Sequence, residues 1–255
     1  SVVDTFNNYV GNKADIGGIF TGENRIDNTV IYESPAVKLL HGAFKFNALL
    51  ATGESSGIKA TSGGAKVAGR GLGDAWSASV TYENPLLVAG IGYDKAIPSN
   101  FLGRGFLNAA EPKLGTAPAA AATLAAANTV RAIGRLNVLD NSLALKALYQ
   151  TSEVENKLGN DEAAANIDDS NGWLIGAEYK VPNYANWTVK AQYSQNSTSF
   201  KTEQADFDAQ QILLGLDYAF NKQVKVYGYT GYSTFEQADA KDKQPVVGTG
   251  LEFKF

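Results

Sequence analysis

The chain has 255 residues, 44% of them hydrophobic, a formal charge of −4 and mean hydropathy of −0.18, which is ample for a sizeable core. No run of 18 apolar residues occurs, so a helical membrane span is excluded. With no Cys and one His, disulfides, zinc-thiolate centres, thiol nucleophiles and multi-histidine metal sites are excluded, and the mild acidity argues against a nucleic-acid partner.

The chain also lacks Met, and the expectation is that Ser1 follows a cleavage or truncation. Twelve Tyr and twelve Phe alongside 26 Gly favour pleated strands over helices. Eleven segments alternate apolar and polar residues: 24–34, 39–51, 75–83, 86–94, 129–138, 142–152, 171–181, 186–196, 209–220, 223–234 and 246–255. In the segment 186–196, Trp187, Val189, Ala191 and Tyr193 face one way while Thr188, Lys190, Gln192 and Ser194 face the other. Only Ala117–Ala127 reads as helical, and it lies in a connection.

Most segments run to about ten residues, the length a tilted strand needs to cross a bilayer, where soluble sheets use about five or six. Their connections alternate. Short ones lie at Ser34-Pro35, Glu83-Asn84-Pro85, Leu139-Asp140-Asn141, Pro182-Asn183-Tyr184 and Asn221-Lys222; long ones cover 52–74, 95–128, 153–170, 197–208 and 235–245. This is the meander of an all-β transmembrane antiparallel up-and-down barrel. If the long loops are extracellular, Trp76, Tyr93, Tyr149, Trp173, Tyr193 and Tyr232 fall near outer strand ends. Tyr82, Tyr179, Trp187, Tyr218, Phe220 and Phe255 then fall near inner ends. Two aromatic belts on the apolar face mark the two lipid headgroup levels.

An odd count of eleven cannot close antiparallel. Either residues 1–23 supply a twelfth strand around Ala14–Thr21, or further strands complete the wall. Three motifs bear on the choice. Asn24-Arg-Ile-Asp-Asn-Thr-Val-Ile-Tyr-Glu-Ser-Pro35 resembles the strand that follows the inward-folded third loop of Gram-negative general porins. Val247-Gly-Thr-Gly-Leu-Glu-Phe-Lys-Phe255 resembles their closing strand, and Asp217-Tyr-Ala-Phe-Asn-Lys222 the turn before their last hairpin. The resemblance implies a trimeric, 16-stranded porin whose first five strands are absent from this sequence. Residues 1–23 would end the constriction loop and 24–255 would form barrel strands with long extracellular loops. The Pro-Glu-Phe-Gly-Gly constriction motif of the enterobacterial porins is missing.

The polar face would then line water. Its basic residues are Arg25, Lys45, Arg131, Arg135, Lys146, Lys180, Lys190, Lys225 and Lys254; its acids are Asp27, Glu33, Glu178, Asp217 and Glu252. The wall therefore carries a surplus of four positive charges, and since the whole chain is −4 the loops and turns hold −8. Arg131, Arg135 and Lys146 form a basic patch that biases ion entry towards anions. By the resemblance, Asp4, Asp15 and Glu23 of the constriction loop face that wall and set a transverse field. The alternation of Leu40, Gly42, Phe44 and Phe46 on the lipid face puts His41 on the lumen side with Lys45. As the single imidazole, His41 would have to serve any Ser–His hydrolase, and no Gly-x-Ser-x-Gly elbow occurs. A 12-stranded barrel with a lipid-hydrolysing or adhesion role is the alternative to a channel. Asp161-Glu162 and Asp168-Asp169 lack calcium-loop spacing and read as solvated loop charges. The expected function is passive diffusion of ions and small hydrophilic solutes across a Gram-negative outer membrane, with lipid and lipopolysaccharide around the barrel and no cofactor.

Overall fold

The structure, a computed structural model, describes residues 3–6, 16–22, 25–60, 65–101, 113–114, 117–118, 124–155 and 166–254. A single 3₁₀ turn, Ile16–Gly18, is the helical element among them. In chain order the strands are β1 (Thr29–Glu33), β2 (Val37–Leu39), β3 (Gly42–Ser55), β4 (Lys59–Ala60), β5 (Ala65–Ala68), β6 (Leu72–Glu83), β7 (Leu87–Asn100), β8 (Lys113–Leu114) and β9 (Ala117–Pro118). They continue as β10 (Leu124–Val138), β11 (Leu143–Val154), β12 (Ile167–Lys180), β13 (Trp187–Phe200), β14 (Phe207–Ala219), β15 (Val224–Gln237) and β16 (Ala240–Phe253).

All but β8 and β9 join one 14-stranded sheet ordered β16-β15-β14-β13-β12-β11-β10-β7-β6-β3-β5-β4, with β1 and β2 also on β3. The eleven expected strands are all present, every one paired antiparallel to its sequence neighbour among the eleven. Among the described residues the sheet is not closed. Ten antiparallel steps separate β1 from β16, so these two run the same way, and antiparallel closure between them takes an odd number of strands.

Burial is inverted relative to a soluble sheet. On β13, Lys190, Gln192, Ser194, Asn196 and Thr198 are buried while Trp187 and Val189 are exposed. On β14, Ile212, Leu214 and Leu216 are exposed while Gln211 and Asp217 are buried. On β16, Val247, Leu251 and Phe253 all point out. A water-facing sheet exposing so continuous an apolar surface would aggregate; hydrocarbon around it removes the cost. The aromatic residues pack as pairs at the two ends of this face. Trp76 lies 5.3 Å from Tyr93 and Trp173 lies 5.2 Å from Tyr193 at one level. At the other level Phe44 lies 4.8 Å from Tyr82, and Trp187, Tyr218 and Phe220 form a run at 4.7 and 4.9 Å. Phe255 lies outside the described residues. Leu214 points outward midway between the belts. Leu214→Arg is expected to cost about 2–4 kcal/mol when the protein folds into lipid vesicles under a urea titration. An unchanged midpoint would mean that this face does not meet hydrocarbon.

Three expectations are corrected. The Ala-rich stretch is not helical: Ala117–Pro118 is β9 and Leu124–Ala127 opens β10, while 119–123 lie outside the described residues. Ala125, Ala126 and Ala127 are all buried between two apolar clusters, so close packing on both faces overrides their helix propensity. The strands overrun the expected loops. From β6 onwards the wall strands have 12 to 15 residues, and β15 meets β16 through Ala238-Asp239 alone. Backbone pairing continues in water after the apolar alternation has stopped. The first turn lies at Leu40-His41, both with positive φ (54° and 60°), as a two-residue hairpin requires. The chain passes Ser34-Pro35 still paired to β3, with the Ser34 N–H donating to the Phe46 carbonyl at 2.9 Å.

Candidate functional site

Two pieces of the amino-terminal region, 3–6 and 16–22, lie against the inner face of the sheet. Val3, Ile16, Ile19 and Phe20 are buried with Leu148, Leu174, Phe207, Ala209 and Phe235, all on inner-face positions of β11, β12, β14 and β15. Phe6 packs with Leu213, Val246 and, edge-to-face at 5.9 Å, with Tyr229. Glycines form the seat. A Cβ on Gly172 would come within 2.6 Å of Phe20, and one on Gly215 within 2.6 Å of Phe6.

Polar latches complete the docking. The Thr21 carbonyl accepts hydrogen bonds from Gln150 Nε2 at 2.7 Å and from Arg131 at 3.4 Å, while the Thr21 hydroxyl donates to Ser170 Oγ at 3.0 Å. The Thr5 N–H donates to Gln192 Oε1 at 2.8 Å. Asp4 is buried and does not face open lumen. Its carboxylate accepts from the Phe6 N–H (3.1 Å), the Ile16 N–H (3.4 Å) and Gln192 Nε2 (3.2 Å), tying the two pieces together. Asp15 and Glu23 lie outside the described residues.

The basic wall residues divide into two groups. Lys146, Lys190 and Lys225 stand in an alternating ionic belt across six strands. Lys146 Nζ lies 2.6 Å from Glu178, Lys190 Nζ 2.7 Å from Asp217, and Lys225 Nζ 3.5 Å from Asp217 and 2.9 Å from Glu252. Lys254 joins it at 3.2 Å from Glu252. Lys146, Lys190 and Lys225 are therefore neutralised by acids one strand away, which sets Lys146 apart from Arg131 and Arg135 in the expected basic patch. Arg131, Arg135 and Lys45 sit on the other part of the wall. Arg131 Nε donates to Gln150 Oε1 at 2.7 Å and Arg135 Nε to Asn137 Oδ1 at 3.1 Å. Lys45 pairs in register with Thr81.

Three expected wall residues lie elsewhere. Arg25 and Asp27 precede β1, beside the start of β5: the Ala65 N–H donates to the Arg25 carbonyl and the Asp27 N–H to the Ala65 carbonyl. His41 is exposed in the β2–β3 turn and not on the wall, because the turn falls six residues later than Ser34-Pro35 suggests.

The inner segment covers the face of β11 to β15 and leaves a cavity of about 400 Å³ along β3, β6, β7 and β10. Ser77, Ser79, Thr81, Gly90, Gly92 and Arg131 line it, and Thr21 and Gly22 of the inner segment border it too. The expected charged wall residues leave out the hydroxyls, and they also leave out Asp94, at the end of the expected segment 86–94, which borders the cavity. Their signal was present in the alternation of Ser77, Ser79 and Thr81 with Trp76, Ala78, Val80 and Tyr82.

An inward polar face, an outward apolar face and a segment folded onto the inner wall coincide with a sequence match: the Gram-negative porin family profile matches residues 1–238. The chain belongs to the Gram-negative porin family. This porin is an outer-membrane β-barrel protein, and solved structures share its fold. The outer-membrane channel DcaP of Acinetobacter baumannii aligns with a TM-score of 0.58 at 13% identity, covering 89% of this chain and 62% of that one. Outer-membrane expressed OmpT of Vibrio cholerae aligns at 0.54 and 16% identity, covering 88% and 64%. OmpT in its trimer form aligns at 0.53 and 14%, covering 89% and 64%. The porin chain thus spans about 62–64% of the length of these structures. No curated protein sequence matches it.

Proposed function

We propose that this porin is a passive diffusion channel for ions and small hydrophilic solutes, filtering by pore size and wall charge. The observation that carries the reading is the groove between the inner segment and the wall of β3 to β10, where hydroxyls, glycines, Asp94 and Arg131 stand beside Ile and Leu side chains inside an outward-apolar sheet. Residues 1–23 act as the end of the constriction loop, and the five strands implied by the porin resemblance satisfy the odd number that closure requires. The assembly is a homotrimer, a state named for OmpT, set in outer-membrane lipid and lipopolysaccharide. No covalent step or cofactor enters this mechanism.

Selectivity is mildly anionic and comes from Arg135 and Lys45. Neither makes an ion pair among the described residues, whereas Lys190 and Lys225 are matched by carboxylates. A wall charge near a narrow, low-dielectric passage biases the local ion concentration. The test is planar-bilayer recording. Stepwise current is expected, and in a salt gradient the reversal potential of Arg135→Glu/Lys45→Glu moves towards cation preference. Absence of unitary steps would sink the channel reading; an unmoved reversal potential would sink the charge assignment.

A further inference from the structure

Ser77, Ser79 and Thr81 occupy three consecutive inward positions of β6, in register with Asp94, Gly92 and Gly90 of β7. Same-face residues on a strand repeat at about 6.6–6.8 Å, so the three hydroxyls form a ladder roughly 13 Å long. Among the described residues none of the three hydroxyls has a hydrogen-bond partner, and none of the three residues is fully buried. Some other inward hydroxyls are paired, although among the described residues Ser194 Oγ is not. Thr198 Oγ1 donates to Ser170 Oγ at 3.1 Å, and Thr129 and Ser152 share a bond of 2.9 Å.

The ladder runs along the 400 Å³ cavity, within the size range of small-molecule sites. Gly90 and Gly92 remove side chains beside it, while Ile26, Leu49 and Ile133 supply apolar contact nearby. The charged residues bordering the cavity are Asp94 and Arg131, of opposite sign, so its net formal charge is zero.

We propose that Ser77, Ser79 and Thr81 form a weak binding track for neutral polyhydroxylated solutes of about monosaccharide size. Each hydroxyl both donates and accepts, as does each solute hydroxyl, so a sugar exchanges water for wall contacts step by step. The apolar neighbours meet its C–H faces. The absence of net charge gives ions no equal advantage, and separated weak contacts let the solute leave as well as enter. The inference rests on the channel reading.

The test uses the full chain in lipid vesicles and planar bilayers, with glucose and KCl as probes. Ser77→Ala/Ser79→Ala/Thr81→Val is expected to lower the ratio of glucose-driven vesicle swelling to KCl conductance by about threefold. A Cβ on Gly92 makes only ordinary contacts, the nearest Ser79 Cβ at 3.4 Å, so Gly92→Leu projects into the cavity and should reduce both signals. Gly134, on the outward face with nothing within 4 Å of a Cβ, is the control: Gly134→Leu should alter neither. An unchanged ratio in the triple variant overturns the track, and full KCl conductance in Gly92→Leu overturns its placement in the passage. A wild-type protein giving neither current nor swelling would instead overturn the channel reading itself.

Discussion

Replacing Asp217 with Ala is expected to lower folding stability by about 3–5 kcal/mol. The side chains of Asp217 and Lys190 are each 8% exposed and their charged atoms lie 2.7 Å apart. Removing the carboxylate withdraws the 2.7 Å contact from a buried ammonium and the weaker 3.5 Å contact from Lys225. The pair itself adds little net stability, because desolvation offsets most of its Coulombic attraction. Lys190→Met/Asp217→Leu should therefore recover most of the loss. Urea unfolding of the protein folded in vesicles reads both values. A single variant within about 0.5 kcal/mol of wild type would mean that the belt is solvated and carries no structural demand.

Gly215→Leu and Gly172→Leu should each release the inner segment and raise unitary conductance, with more frequent current fluctuations. The physical cause is overlap. A Cβ at either position would sit 2.6 Å from a buried Phe ring, closer than real Cβ contacts allow. Phe6 and Phe20 are each about 1% exposed, so losing one ring from its seat forfeits about 3–5 kcal/mol of packing. The latch at the Thr21 carbonyl, held by Gln150 and Arg131, is too small to retain the segment against that loss. Unchanged conductance and noise in both variants would show that the segment does not limit flow. Gly134→Leu again serves as the reference, since its side chain enters lipid.

These two experiments address different layers of what the sequence encodes. Trp187, Val189, Ala191 and Tyr193 alternate with Thr188, Lys190, Gln192 and Ser194, and the folded β13 keeps that division. The eleven wall strands, the outward apolar face and the aromatic ends were legible for the same reason. A bilayer reads each side chain through the strand's own period of two, which needs no knowledge of any partner. Strand ends were less legible. Beyond the outer belt, Ser197, Ser199 and Thr234 carry no apolar signal, yet the backbone keeps its ladder and the expected loop 235–245 becomes a tight hairpin.

Other features arise only between distant parts of the chain. Lys190 reads identically to Arg135 in a list of inward charges. Cross-strand register brings Asp217, 27 positions away, against the first, whereas the second faces Val88 and Lys146 and bonds Asn137 of its own strand. Nothing within residues 3–22 announces that Phe6 and Phe20 meet Gly215 and Gly172, roughly 150 to 210 positions along. The local alternation of polar and apolar residues thus determined that this protein makes a wall between lipid and water. The tertiary structure decided which part of that wall remains open, because an opening depends on contacts between surfaces that the chain order keeps far apart.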